Sequence, residues 1–160
     1  VTLGTLPGWE FRRLVDACQR VIPANSEVLW QTGATDVTGL GIEARESISA
    51  TELEQATASA DVVISHAGVG SALTALRCGK RPILVPRQAA FGEHVDDHQR
   101  QIAAELEGRG LALVRTPDTL TSADLENVRN VGVSVPTTLP PIDLETHARP
   151  TLTSLWRRTA

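Results

Sequence analysis

Asp61-Val62-Val63-Ile64-Ser65-His66-Ala67-Gly68-Val69-Gly70-Ser71 is the stretch on which the reading of this chain turns. A short β-branched run ends in a glycine-rich turn, and helical periodicity follows to Cys78, where Gly79 closes it. That order predicts strand, tight turn, helix. The glycines allow a sharp bend and close approach of another molecule to the backbone. A helix start leaves unpaired N–H groups and a partial positive charge, which together favour phosphate. The same pattern also serves tight packing alone. Its spacing is not the Gly-x-Gly-x-x-Gly of a dinucleotide site, and no acidic residue ends a following strand.

Working outward, short aliphatic runs alternate with helical segments, which predicts an α/β domain with a Rossmann-like parallel sheet and flanking helices. Strands are expected at residues 1–4, 26–31, 42–48, 61–65, 82–86 and 111–114. Helices are expected at 9–22, 49–59, 71–78, 95–108 and 121–131. Ser49 with Glu52 forms a capping-box start, and Thr121 with Asp124 marks another. Leu3-Gly4-Thr5 leaves the first strand at the same edge as the His66–Ser71 turn, so two turns face one rim. Ligands in such sheets bind at the carboxyl ends of the strands.

A second cluster, Glu93-His94-Val95-Asp96-Asp97-His98-Gln99, follows the next strand and falls on that rim too. Three readings stay open for it. Its polar groups suit vicinal sugar hydroxyls; His94 and His98 one turn apart beside Glu93 suit a metal; and Asp96 and Asp97 suit a solvated helix start.

The 160 residues fit one core, with residues 1–135 as the binding domain and 136–160 as a proline-containing connector and tail, in which a docking helix is expected. A net charge of −4 and the absence of Tyr argue against a nucleic-acid partner. Cys18 and Cys78 lack metal-site spacing and read as core thiols, so a reduced, cytoplasmic setting is expected. No apolar run is long enough to span a bilayer, and no signal-peptide pattern is present. The start at Val1, with no Met in the chain, reads as a fragment of a longer protein or a chain whose initiator has been removed.

Ser65–Ser71, Gly79-Lys80-Arg81-Pro82, Val85-Pro86-Arg87 and Glu93–Gln99, in that order, resemble the carboxyl-terminal domain of glycosyltransferase family 28. That family includes N-acetylglucosaminyltransferases, Alg13-like subunits and exopolysaccharide transferases, and the resemblance covers roughly residues 1–114. It implies the donor-binding half of a two-domain GT-B glycosyltransferase, a nucleotide-diphosphate sugar (a UDP-sugar by expectation) as ligand, and no cofactor or metal. By resemblance, Gly4 and Thr5 with Gly68, Gly70 and Ser71 line the diphosphate, and His66 is counted among the donor-binding residues. Gln99, helped by His98, touches the sugar, and backbone near Ala50 meets the base. Many members carry a Glu that binds the ribose where this chain has Thr74. The catalytic base of relatives lies on an amino-terminal domain, so no catalytic residue is expected here. The acceptor site then belongs to that domain or to a separate subunit, one that can be membrane-attached. A nucleotide-sugar 2-epimerase and a non-catalytic donor-binding subunit are the competing functions.

Overall fold

The computed structural model describes residues 1–95, 98–129 and 131–133. The proposed connector and tail beyond 135 lie outside them. Five strands, β1 (Trp30–Gln31), β2 (Ala44–Arg45), β3 (Ile64–His66), β4 (Ile83–Val85) and β5 (Leu113–Val114), are all parallel to their neighbours. The extended segment at Thr2 bridges Gln31 on one side and Ser65 on the other. The sheet therefore runs β2, β1, the Thr2 segment, β3, β4, β5. Helices α1 (Arg12–Val21), α2 (Ala50–Ser59), α3 (Val69–Arg77), α4 (His98–Gly108) and α5 (Ser122–Arg129) each begin after the carboxyl end of a sheet segment. All five helix starts thus gather on one rim.

Strand β4 shows why the sheet is covered on both faces. Successive side chains of a strand point to opposite sides. Ile83 and Val85 join one core with Leu3, Phe11, Leu14 and Val15, whereas Leu84 joins the other with Ala72, Leu76 and Ala103. All three are fully buried, so a continuous apolar run is what this position demands. Removing the ring of Phe11, which is fully buried, would cost about 3–5 kcal/mol.

The caps formed as the sequence predicts, with one change of partner. The Ser49 hydroxyl accepts the Glu52 N–H at 3.1 Å, but the Glu52 carboxylate pairs with Arg45 rather than reaching back. At α5 the Asp124 carboxylate accepts both the N–H and the hydroxyl of Thr121, at 2.9 and 2.8 Å, and is held from the other side by Arg115. Cys18 is a buried core thiol, pushed up to about 12 by burial; Cys78 is half-buried at the end of α3.

Several boundaries differ from expectation. Helix α1 starts at Arg12, not Trp9, because the Phe11 N–H is taken by the Thr35 hydroxyl at 3.0 Å and the carbonyls of Trp9 and Glu10 are taken by Arg87. Strand β1 is confined to two residues, and the stretch before it opens with a turn in which Ser26 N–H donates to Pro23 O. Helix α4 is described from His98, and Val95, where the sequence places its start, lies outside it and stands 71% exposed.

Candidate functional site

The carboxyl rim is built around the ring of His66, the last residue of β3. Gly4 has φ +77°, and a Cβ there would lie 2.6 Å from His66 Cε1 and Nε2. A Cβ on Gly68 would also run into the imidazole, and one on Gly33 would strike the Gly4 carbonyl. These three glycines are therefore explained by packing: they let two turns close on one ring. The His66 Nδ1 faces Thr2 O at 3.4 Å. Burial, with the nearby Arg87 charge, lowers the His66 pKa from 6.5 to about 4. The imidazole is neutral at physiological pH and serves as a spacer rather than a cation.

Gln31, which the sequence reading passed over, organises the first turn. It is 4% exposed. Its Oε1 accepts from Thr2 Oγ1 at 2.6 Å and Gly4 N at 3.1 Å, while Nε2 donates to Gly4 O at 2.7 Å and Glu46 O at 2.8 Å. The polar backbone of Gly4 is thus satisfied internally, and Thr5 is the exposed residue of that turn. A Gln closing a strand immediately before Thr-Gly is the signal that could have revealed it.

Gly70 is different. It lies exposed in the first turn of α3, has no positive φ, and a Cβ placed there meets nothing within 4 Å. Neither conformation nor packing calls for a glycine here, although glycine costs a helix about 1 kcal/mol relative to Ala. The helix start is capped by Gly68 with no side-chain hydrogen bond, and its first turn holds no acidic residue. Ser71 is half-buried in the same turn. Thr74 sits one turn below Gly70, buried, with its hydroxyl donating to Gly70 O at 2.9 Å and accepting from Arg77 at 3.3 Å.

Ala50 is the exposed first residue of α2, which packs beside α3. His98 is the exposed first residue of α4, and the half-buried Gln99 accepts the Arg87 backbone N–H through Oε1 at 3.1 Å. Gly4 and Gly68 thus both pack against His66, Gly70, Ser71 and Thr74 follow along α3, and Gln99 is tied in through the backbone of Arg87 after β4. Glu93 is not available as a metal ligand. It is 4% exposed, with Oε1 on Arg13 at 3.1 Å and Oε2 accepting the Gln88 N–H at 2.9 Å. Among the described residues no three His, Cys, Asp or Glu side chains gather to hold a metal. A groove of about 770 Å³ opens at the amino ends of the strands, where Val28, Val62, Leu53 and Leu125 line it. Its lining contains no glycine.

A parallel Rossmann-like sheet whose glycine-rich helix start lies on its carboxyl rim defines the class as a Rossmann-like α/β domain, in which ligands bind at the carboxyl ends of the strands. Residues 1–131 match the glycosyltransferase family 28 C-terminal domain, and the chain belongs to that family. It is 41% identical over 64 residues to the UDP-N-acetylglucosamine transferase subunit ALG13 of Candida glabrata, covering 40% of this chain and 30% of that protein. It is 34% identical over 112 residues to the UDP-N-acetylglucosamine--N-acetylmuramyl-(pentapeptide) pyrophosphoryl-undecaprenol N-acetylglucosamine transferase of Chlorobium luteolum, covering 66% and 28%. The fold is shared with the glycotransferase of kitacinnamycin (TM-score 0.58, 21% identity, 80% of this chain and 32% of that one). SnogD from Streptomyces nogalater is similar (TM-score 0.56, 20% identity, 81% and 34%). The chain spans about 30% of the length of the curated relatives it matches. No helix among the described residues is long and apolar enough to cross a membrane.

Proposed function

We propose that this domain holds a nucleoside-diphosphate sugar, UDP-linked, for transfer to an acceptor bound by another domain or subunit. The observation that carries the reading is Gly70: an exposed glycine that neither fold nor packing requires, at a helix start without a side-chain cap on the carboxyl rim. A ligand approaching the backbone there supplies the missing reason. In this reading the first turn of α3, with Gly68, Gly70 and Ser71, meets the diphosphate, and Gly4–Thr5 closes on it from the neighbouring turn. His98 and Gln99 meet the sugar, Ala50 marks the base, and His66 keeps the two turns apart. Uridine is favoured because two relatives are named as transferases of UDP-N-acetylglucosamine. Those names also favour transfer over epimerisation, and a relative named as a subunit supports an acceptor site on a separate partner.

As the glycosidic bond to the donor breaks, negative charge grows on the departing diphosphate. Preorganised N–H groups and the positive end of α3 stabilise that charge without a metal ion. Activation of the acceptor falls to the other half. Calorimetric titration of the chain with UDP, UDP-N-acetylglucosamine, dTDP and ADP tests the reading. Saturable binding of UDP ligands with weaker ADP binding is expected; no binding of any nucleoside diphosphate would overturn it.

A further inference from the structure

Arg87 is 2% exposed and is among the largest fully buried side chains of the domain. It leaves the carboxyl end of β4, and no carboxylate among the described residues pairs with it. Its guanidinium donates instead to carbonyls on three separate segments: Nη2 to Leu3 O at 2.8 Å, and Nη1 to Trp9 O at 3.1 Å, Glu10 O at 3.0 Å and Glu93 O at 3.3 Å. Its Cζ lies 4.9 Å from the Phe11 ring centroid. The Arg87 backbone N–H is bound by Gln99. Glu93, whose carbonyl Arg87 holds, fixes its own loop through Gln88 and Arg13.

Burying a guanidinium costs several kcal/mol unless its surroundings repay it, and an apolar side chain would fill the same space more cheaply. What an apolar residue cannot do is draw carbonyls from three segments to one plane. Lysine cannot either, since its ammonium is a compact point charge rather than a planar fork. Each segment held by Arg87 bears on the rim. Leu3 immediately precedes the Gly4–Thr5 turn, Trp9–Glu10 enters α1, and the Glu93 loop leads to His98 and Gln99.

We propose that Arg87 is the positioning residue of the donor rim, setting the spacing between the Gly4–Thr5 turn and the start of α4 that a bound nucleotide sugar requires. The inference rests on the donor-site reading above. Arg87 touches no substrate; it acts through the segments it holds.

The test compares UDP and UDP-N-acetylglucosamine affinity of the wild type, Arg87→Lys and Arg87→Ala, with thermal unfolding of each. Arg87→Lys should fold and lose about ten-fold in affinity, equivalent to ~1.4 kcal/mol. Arg87→Ala should lose more, and millimolar guanidinium chloride, but not the same sodium chloride, should restore part of its binding by refilling the site with a planar donor. Wild-type affinity in a folded Arg87→Lys overturns the proposal, as does rescue by sodium chloride. If neither variant folds, Glu93→Gln keeps the question open to refutation: it loosens the loop that Arg87 holds and should weaken binding, and unchanged affinity would overturn the proposal. Failure of the wild type to bind any nucleotide would instead strike the donor-site reading itself.

Discussion

Lowering the pH should destabilise this domain through His66 before its carboxylates titrate. The ring is enclosed between the Gly4 and Gly68 turns, and burial with the Arg87 charge brings its pKa from 6.5 to about 4. Between those values the unfolded chain binds a proton that the folded chain refuses, so stability rises with pH across that window and is lost as pH falls. Taking 6.5 unfolded and about 4 folded, linkage makes the domain about 2 kcal/mol less stable at about pH 5 than at about pH 7.5 from this group alone. Carboxylates such as Asp124, already below the usual range, contribute mainly further down. The comparison is with His66→Asn, whose amide still offers a donor to Thr2 O but does not titrate. Urea unfolding of both proteins across this range should give a steeper pH dependence for the wild type, by about 2 kcal/mol. The His66 Cε1 proton should titrate near 4 by NMR. Parallel stability curves, or an NMR midpoint near 6.5, would show that the turns do not enclose the ring.

Three further outcomes follow from the rim. Gly70→Val should abolish UDP binding while shifting the melting temperature by only a few degrees, since a Cβ added there meets nothing within 4 Å; unchanged UDP affinity removes the phosphate assignment. Gln99→Ala should weaken UDP-sugar more than UDP, cost about 1 kcal/mol of stability through the lost Arg87 N–H bond, and leave donor affinity insensitive to EDTA. Equal losses for both ligands, or a stoichiometric bound metal, would favour the metal or solvated-helix reading. Thr74→Glu should raise UDP affinity several-fold and leave dTDP affinity nearly flat, because a helical side chain leans toward the amino end and from position 74 passes over Gly70; equal gains or losses for both nucleotides would place position 74 away from the ribose.

What the sequence makes legible here is what repeats or caps. The run Ile83-Leu84-Val85 reads as a doubly covered strand because all three side chains are apolar, and Ser49 and Thr121 announce helix starts because their partners lie three residues away. The start of α1 was not legible: the groups that hold Trp9–Phe11 out of the helix belong to Thr35 and Arg87, 24 and 77 or 78 positions distant. The glycines show the same division. Gly4, Gly68 and Gly70 look alike in sequence, yet the first two are explained by the His66 ring between them and only the third by nothing inside the fold. Telling them apart requires knowing that the Thr2 segment lies beside β3, a pairing between residues 63 apart. Arg87 and Gln31 carry no mark in the sequence for a related reason. Their acceptors are mostly main-chain carbonyls, which every residue carries, so no residue type at any spacing marks the far end of the bond. The rim's chemistry-bearing residues can be read along the chain, whereas the side chains that set their spacing emerge only when the segments are brought together.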